Sequence, residues 1–150
     1  MEQHYRQLES MYQAAPINAF YQPVMVVTEG QADISIQTDE RHHHSAGGMH
    51  GSVYFKMLDD AAWFACNSLE SDVFVLTTSF TTYITRPISE GNITAIGKVV
   101  NKNNSQWIAE SILYNEEGKE LARGNGIFVR SKVPLEKAKG YGQSLACLKK

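Results

Sequence analysis

Between Gly51 and Ser68 the chain reads GSVYFKMLDDAAWFACNS, apolar on nearly every side, with two adjacent aspartates, Asp59 and Asp60, in its middle. A helix with this pattern is enclosed by other structure and does not lie on a surface. Setting a carboxylate among Phe55, Met57, Leu58, Ala61, Ala62 and Trp63 costs several kcal/mol unless the group is solvated, paired or used. The segment therefore reads both as the centre of a fold and as a site.

What surrounds it is strand-like. Pro23–Thr38 carries VMVVT, a break at Gly30 and the alternating ADISIQT, the pattern of a hairpin or a bent strand. After a polar break at Glu70–Asp72, strands are expected over Val73–Thr85, Asn92–Lys102, Gln106–Asn115 and Glu120–Ser131. Gly91, Asn103-Asn104 and Gly118 punctuate them as turns. Short links between consecutive strands imply antiparallel neighbours. Upstream, Tyr5, Leu8, Met11 and Tyr12 stand at helical spacing, giving a short amphipathic helix over about 2–14 that Pro16 ends. The tail 133–150, with Pro134, Gly140 and Gly142, reads as a weakly structured appendage to one domain with its core over about 20–132. An enclosed helix buries its circumference only if a sheet curves around it, so the expected class is α+β, an antiparallel sheet wrapped around a central helix.

Composition narrows the function classes. With 43% apolar and 20% charged residues in 150, the chain has the make-up of a soluble globular domain. A net charge of -2 gives no basic footprint, so no nucleic-acid partner is expected. No apolar run approaches the roughly 20 residues of a membrane span, and the polar start MEQHYRQLES cannot form a signal-peptide core. The two cysteines, Cys66 and Cys147, lack metal or disulfide spacing, which suits reduced thiols in a cytoplasm.

The string HGSVYFKMLDDAAWFACNS resembles the helix signature of hotdog-fold acyl-CoA thioesterases, in particular the phenylacetate-pathway type, in which His-Gly-Gly precedes a helical aspartate. Thr85-Arg86-Pro87 and Gly91 resemble that family's strand end and following turn, and the likeness covers approximately 24–130. The resemblance implies a hotdog fold and hydrolysis of an acyl-CoA or aryl-CoA thioester without a cofactor or metal. It places Gly51 as the helix-start glycine whose N–H polarises the thioester carbonyl, His50 before it, and Asp59 as the catalytic carboxylate. Ser52 stands where the second glycine is usual, and His44 where an asparagine often sits. Thr77 or Thr78 falls near a family hydroxyl that helps hold the attacking water.

Those residue types suit the chemistry. A helix N-terminus at Gly51 offers unpaired N–H groups and the positive end of the dipole to a developing oxyanion, and glycine lets a substrate approach the backbone. Asp59 is placed to act as general base or as nucleophile. His44 would replace an amide donor with an imidazole whose donor depends on its tautomer. Gly51 and Asp59 are eight residues apart, which on one helix separates them by roughly 12 Å. They cannot serve one carbonyl together. Two such helices, antiparallel across a two-fold axis, would bring Gly51 of one subunit toward Asp59 of the other. A homodimer, with pairing of dimers into tetramers, is the expected assembly. Arg86, Lys98, Lys102 and Arg123 are candidate CoA phosphate contacts, and Trp63, Phe64 and Tyr54 candidate walls for the acyl chain.

Plainer readings compete with these. Lys56 stands four residues before Asp60 and three before Asp59, and pairing with Asp59 would make that carboxylate structural. Arg86-Pro87 is equally a simple strand end, Thr77 an ordinary strand residue, and Cys66 a small buried one. His42, His43 and His44 have no matched ligand spacing, which favours a solvated loop with one histidine turned inward. The histidine in place of asparagine at position 44 also fits a non-catalytic acyl-CoA binder. A hotdog dehydratase or hydratase lacks its loop pattern here.

Overall fold

The structure is a computed structural model that describes residues 1–142. Helix α1 (Glu2–Ala14) and the single turn α2 (Asn18–Tyr21) precede a hairpin of β1 (Val24–Thr28) and β2 (Gln31–Thr38). A loop with one 3-10 turn at Glu40–His42 leads into α3 (Gly51–Asn67). The strands β3 (Val73–Ile84), β4 (Gly91–Lys102), β5 (Trp107–Tyr114) and β6 (Glu120–Pro134) complete one antiparallel sheet in the order β1-β2-β4-β5-β6-β3. The chain thus uses α3 to cross from β2 near one edge to β3 at the opposite edge, and the sheet wraps the helix between. This is the α+β hotdog architecture the sequence implies.

Alternation in the strands sets the inner face. Ile34 and Ile36 on β2, Ile93, Ala95 and Gly97 on β4, and Ala109, Ser111 and Leu113 on β5 point inward against Met57, Leu58, Ala61 and Ala65 of α3. Two contacts bring helix and sheet unusually close. The Ser111 hydroxyl donates to the Leu58 carbonyl at 2.6 Å, and a Cβ built on Gly97 would fall inside the Ala61 peptide. Glycine at 97 is therefore a requirement of helix-on-sheet packing.

Two expectations need correction. Helix α3 is not enclosed all round: Gly51, Phe55, Lys56, Asp59, Asp60 and Trp63 form a partly open stripe, with Phe55 43% exposed. The six strands cover the rest of the circumference and stop at β3, an edge strand that leaves Leu76, Tyr83 and Ile84 exposed. The tail is also better ordered than its composition suggests up to residue 142. Strand β6 runs to Pro134, the Leu135 side chain is fully buried, and the Tyr141 hydroxyl bonds His4 Nδ1 at 2.7 Å. Positions 143–150, including Cys147, lie outside the described residues. Among the described residues no helix is long and apolar enough to cross a membrane.

Gly97→Ala should destabilise the fold by about 3 kcal/mol, because the intruding methyl meets backbone that cannot rotate away. Denaturant unfolding measures this; a change within about 0.5 kcal/mol would show that α3 can slide off β4 freely.

Candidate active site

Asp59 lies on the open stripe of α3 and faces Thr77 on β3, whose hydroxyl donates to Oδ1 at 2.9 Å. A bulge fixes that threonine. Thr77 pairs with Phe128 and Ser79 with Ile127, so Thr78 is the extra residue. The bulge keeps Val75 and Thr77 toward the helix and then resets the strand so that Phe80 packs over Gly124 and Gly126. Re-aiming of side chains beside a site is a common use of such bulges. Thr78 itself turns away and donates to the Ile127 carbonyl at 3.0 Å. The hydroxyl at the carboxylate therefore belongs to Thr77.

Lys56 resolves the ambiguity between the two aspartates. Its ammonium pairs with Asp60 Oδ2, which also accepts from the Tyr12 hydroxyl at 2.7 Å. Among the described residues Asp59 has no cation partner. Burial pushes its carboxyl up to about 6, the Asp60 carboxylate adds to the rise, and the Thr77 hydrogen bond and Lys56 oppose it. Tyr12 is the residue that the sequence alone could not place. It sits on the apolar face of α1, where a tyrosine reads as core, yet its hydroxyl crosses to α3.

Asp59, Asp60, Thr77 and Trp63 line one cavity of about 370 Å³. Trp63 is fixed there by its indole N–H, which donates to the Val75 carbonyl at 2.9 Å. Gly51 lines a different pocket, of about 350 Å³, together with His44, Tyr54, Thr85, Arg86 and Pro87. Asp59, at the middle of α3, and Gly51, at its N-terminus, thus line two separate pockets. The helix spacing requires that separation.

The first turn of α3 is held by its cap. His50 occupies the N-cap, where its Nδ1 accepts from the Ser52 N–H at 3.0 Å and from the Ser52 hydroxyl at 2.8 Å. The Val53 N–H goes to the His50 carbonyl, and among the described residues the Gly51 N–H has no acceptor. The imidazole thus does what a serine or aspartate usually does at this position, and it leaves one backbone donor free beside the pocket. A Cβ on Gly51 would meet only Ile84 at an ordinary 3.5 Å, so the chain's own packing does not demand glycine.

His44 Nδ1 accepts from the Ala46 N–H at 3.1 Å, so in the neutral ring the proton sits on Nε2, which lies against Gly48. Arg86 is exposed at the rim of the same pocket, and its carbonyl accepts from the Tyr54 hydroxyl at 3.0 Å. The other cations suggested for CoA lie elsewhere. Lys98 is on the outer sheet face with Glu110, Lys102 sits over the Trp107 ring, and Arg123 pairs with Glu120. Of the triple histidine, His42 is the inward one, stacked on Tyr21. Cys66 is buried, and its burial raises the thiol well above the ordinary value. That suits a packing residue.

Comparison with known proteins fits this arrangement. Residues 46–122 match the family model of the thioesterase superfamily, a stretch that spans α3 and β3–β5 and reaches into β6. The chain belongs to that superfamily and is a thioesterase. No curated protein matches it. Among solved structures, the Escherichia coli PaaI protein from the phenylacetic acid degradation operon superposes with a TM-score of 0.81 at 18% identity, over 89% of this chain and 96% of that one. A Pseudomonas aeruginosa thioesterase gives 0.75 at 16% identity over 87% and 94%, and one from Haemophilus influenzae 0.72 at 15% over 80% and 85%. At these identities the structures speak for the fold.

The raised carboxyl has a stability signature. With an ordinary value of 3.8 and a native value of about 6, ionised Asp59 burdens the fold fully above pH 6, decreasingly down to 3.8, and not below. Asp59→Asn keeps the Thr77 hydrogen bond and should be more stable than the parent by about 1 kcal/mol at pH 7.5, with the gain gone at pH 3.5. Unfolding midpoints across that range check this. A gain that grows toward low pH would contradict the assignment.

Proposed function

We propose that this protein hydrolyses acyl-CoA or aryl-CoA thioesters in a two-fold symmetric dimer, with Asp59 of one subunit and the Gly51 end of α3 of the other forming each site. The observation that supports the reading is a half-buried carboxylate with no cation partner among the described residues, on the same helix as a second pocket where the Gly51 N–H has no acceptor among them. The open stripe of α3 and the exposed edge of β3 meet along one surface, where Phe55 packs edge-on against Phe80 at 5.7 Å. Pairing of that surface with a second copy, helices antiparallel, covers the exposed edge and joins unlike half-sites.

In the reaction the thioester carbonyl oxygen rests on the Gly51 N–H, and the positive helix end stabilises the charge that develops there. His44 Nε2 offers a second donor from the same pocket. Asp59 takes a proton from the attacking water as general base, with Oδ1 held by Thr77, and a carboxyl titrating near 6 suits that role at neutral pH. Water oxygen bonds to the carbonyl carbon, the C–S bond breaks, and CoA leaves as a thiolate that is then protonated. Arg86 at the rim is the cation that, among the described residues, lines the Gly51 pocket and can meet a CoA phosphate. The reduced Cys66 is compatible with a cytoplasmic setting.

Thiol release from a panel of acyl- and aryl-CoAs tests the reading. Asp59→Asn should lose at least about a hundredfold in kcat/KM, and the parent profile should fall below pH 6. Gly51→Pro removes the N–H at a first-turn position that tolerates proline, and the extended His50 backbone (φ -62°, ψ 142°) already suits a following proline. It should lose about as much as an oxyanion donor is worth, a hundredfold or more, while Gly51→Ala loses far less. Full activity in Asp59→Asn would remove the mechanism.

A further inference from the structure

The Asp59 cavity has a wall that the family-matched residues 46–122 do not supply. Met11, Tyr12, Ile17 and Asn18 of the N-terminal segment line it opposite Trp63 of α3 and Leu76 of β3. That segment is fastened, not loosely laid. Arg6 donates to the Val27 carbonyl, the Val27 N–H donates to Glu9, and Gln13 donates to the Pro23 carbonyl, each at 2.8 Å. At the near end, His4 Nε2 bonds the Asn67 carbonyl at 2.8 Å, where α3 finishes. Tyr12 is locked twice: its ring stands edge-on to Phe64 at 4.8 Å, and its hydroxyl donates to Asp60.

We infer that α1 and α2 are the acyl-length gauge of this enzyme, with the Tyr12 ring a fixed wall that limits the chain, and that the group accepted there is uncharged. This rests on the hydrolase reading for the orientation of the substrate, since the acyl carbon must lie at Asp59 for its chain to extend into the same cavity. Away from Lys56, Asp59, Asp60, Thr77 and Asn18, the lining is aromatic and aliphatic. Among the described residues its one cation, Lys56, is paired with Asp60 and covered by the Tyr12 and Tyr21 rings, so the ionised Asp59 leaves this lining net negative. A carboxylate at the far end of the acyl group would meet that charge without a partner. Tyr12 is a specificity residue in this account and takes no part in bond making.

The test is a chain-length profile read in two ways. Turnover of straight-chain acyl-CoAs from acetyl to dodecanoyl is measured beside the affinity of the matching S-alkyl-CoA thioethers, which cannot be hydrolysed. Tyr12→Ala should move both optima to longer chains, with about a tenfold rise in kcat/KM for the longest. Ile17 lines the same cavity but is 59% exposed, so Ile17→Trp adds bulk without disturbing buried packing and should move both optima to shorter chains. Tyr12→Phe keeps the ring and should keep the parent's optimum. A dicarboxylic acyl-CoA should react about tenfold more slowly than the monocarboxylic one of equal length. If no thioester is hydrolysed yet the thioether optimum still shifts, the hydrolase reading fails and the gauge stands. If Ile17→Trp and Tyr12→Ala both leave the profiles where they were, the gauge is wrong whatever the turnover. Should Tyr12→Ala not fold, Ile17→Trp alone decides in the same way.

Discussion

One rigid helix carries both polar groups of the proposed chemistry, and it holds them too far apart to be used together. Gly51 and Asp59 sit on the same stripe of α3, and the chain builds a separate pocket around each. Nothing within the fold can shorten that distance, because α3 is pressed onto β4 at Gly97 and tied to β5 through Ser111. The sheet holds the helix in place through these contacts. In the proposed dimer a second copy completes the site.

The neighbourhood of Asp59 shows how two consecutive carboxylates are given different roles. Asp60 receives both the Lys56 ammonium and the Tyr12 hydroxyl. Asp59 receives a neutral hydroxyl and partial burial, which leave it poised near 6. Environment, more than residue type, separates the paired acid from the proposed base. The β3 bulge contributes by aiming Thr77 and by turning Thr78 away.

Much of this was legible in the sequence because it rests on local periodicity. The two longer helices and the last four strands follow from spacing of apolar residues and from turn residues, and the bounds of α1 and α3 agree with expectation to within a residue. The first strand segment leaves a hairpin and a bent strand both open. The motif around Gly51 and Asp59 is local too. Other features depend on what arrives from far along the chain. Tyr12 meets Asp60 across 48 positions, and only the fold reveals that a core-like tyrosine carries a polar contact. That β3 is an edge strand, and that α3 therefore keeps an open stripe, follows from strand order, which short-range patterns do not encode. The capping role of His50 was hidden because histidine is an unusual N-cap, and burial of Leu135 because Pro and Gly nearby suggested a loose tail.

Mixing subunits tests the shared site most directly. Asp59→Asn and Gly51→Pro chains, each inactive alone, are unfolded together and refolded as a mixture. A mixed dimer then holds one site with an intact Gly51 end from the first chain and an intact Asp59 from the second. With random pairing the mixture should recover about a quarter of the parent activity. No recovery, in a mixture shown to contain mixed dimers, would mean that each chain works by itself and would contradict the account.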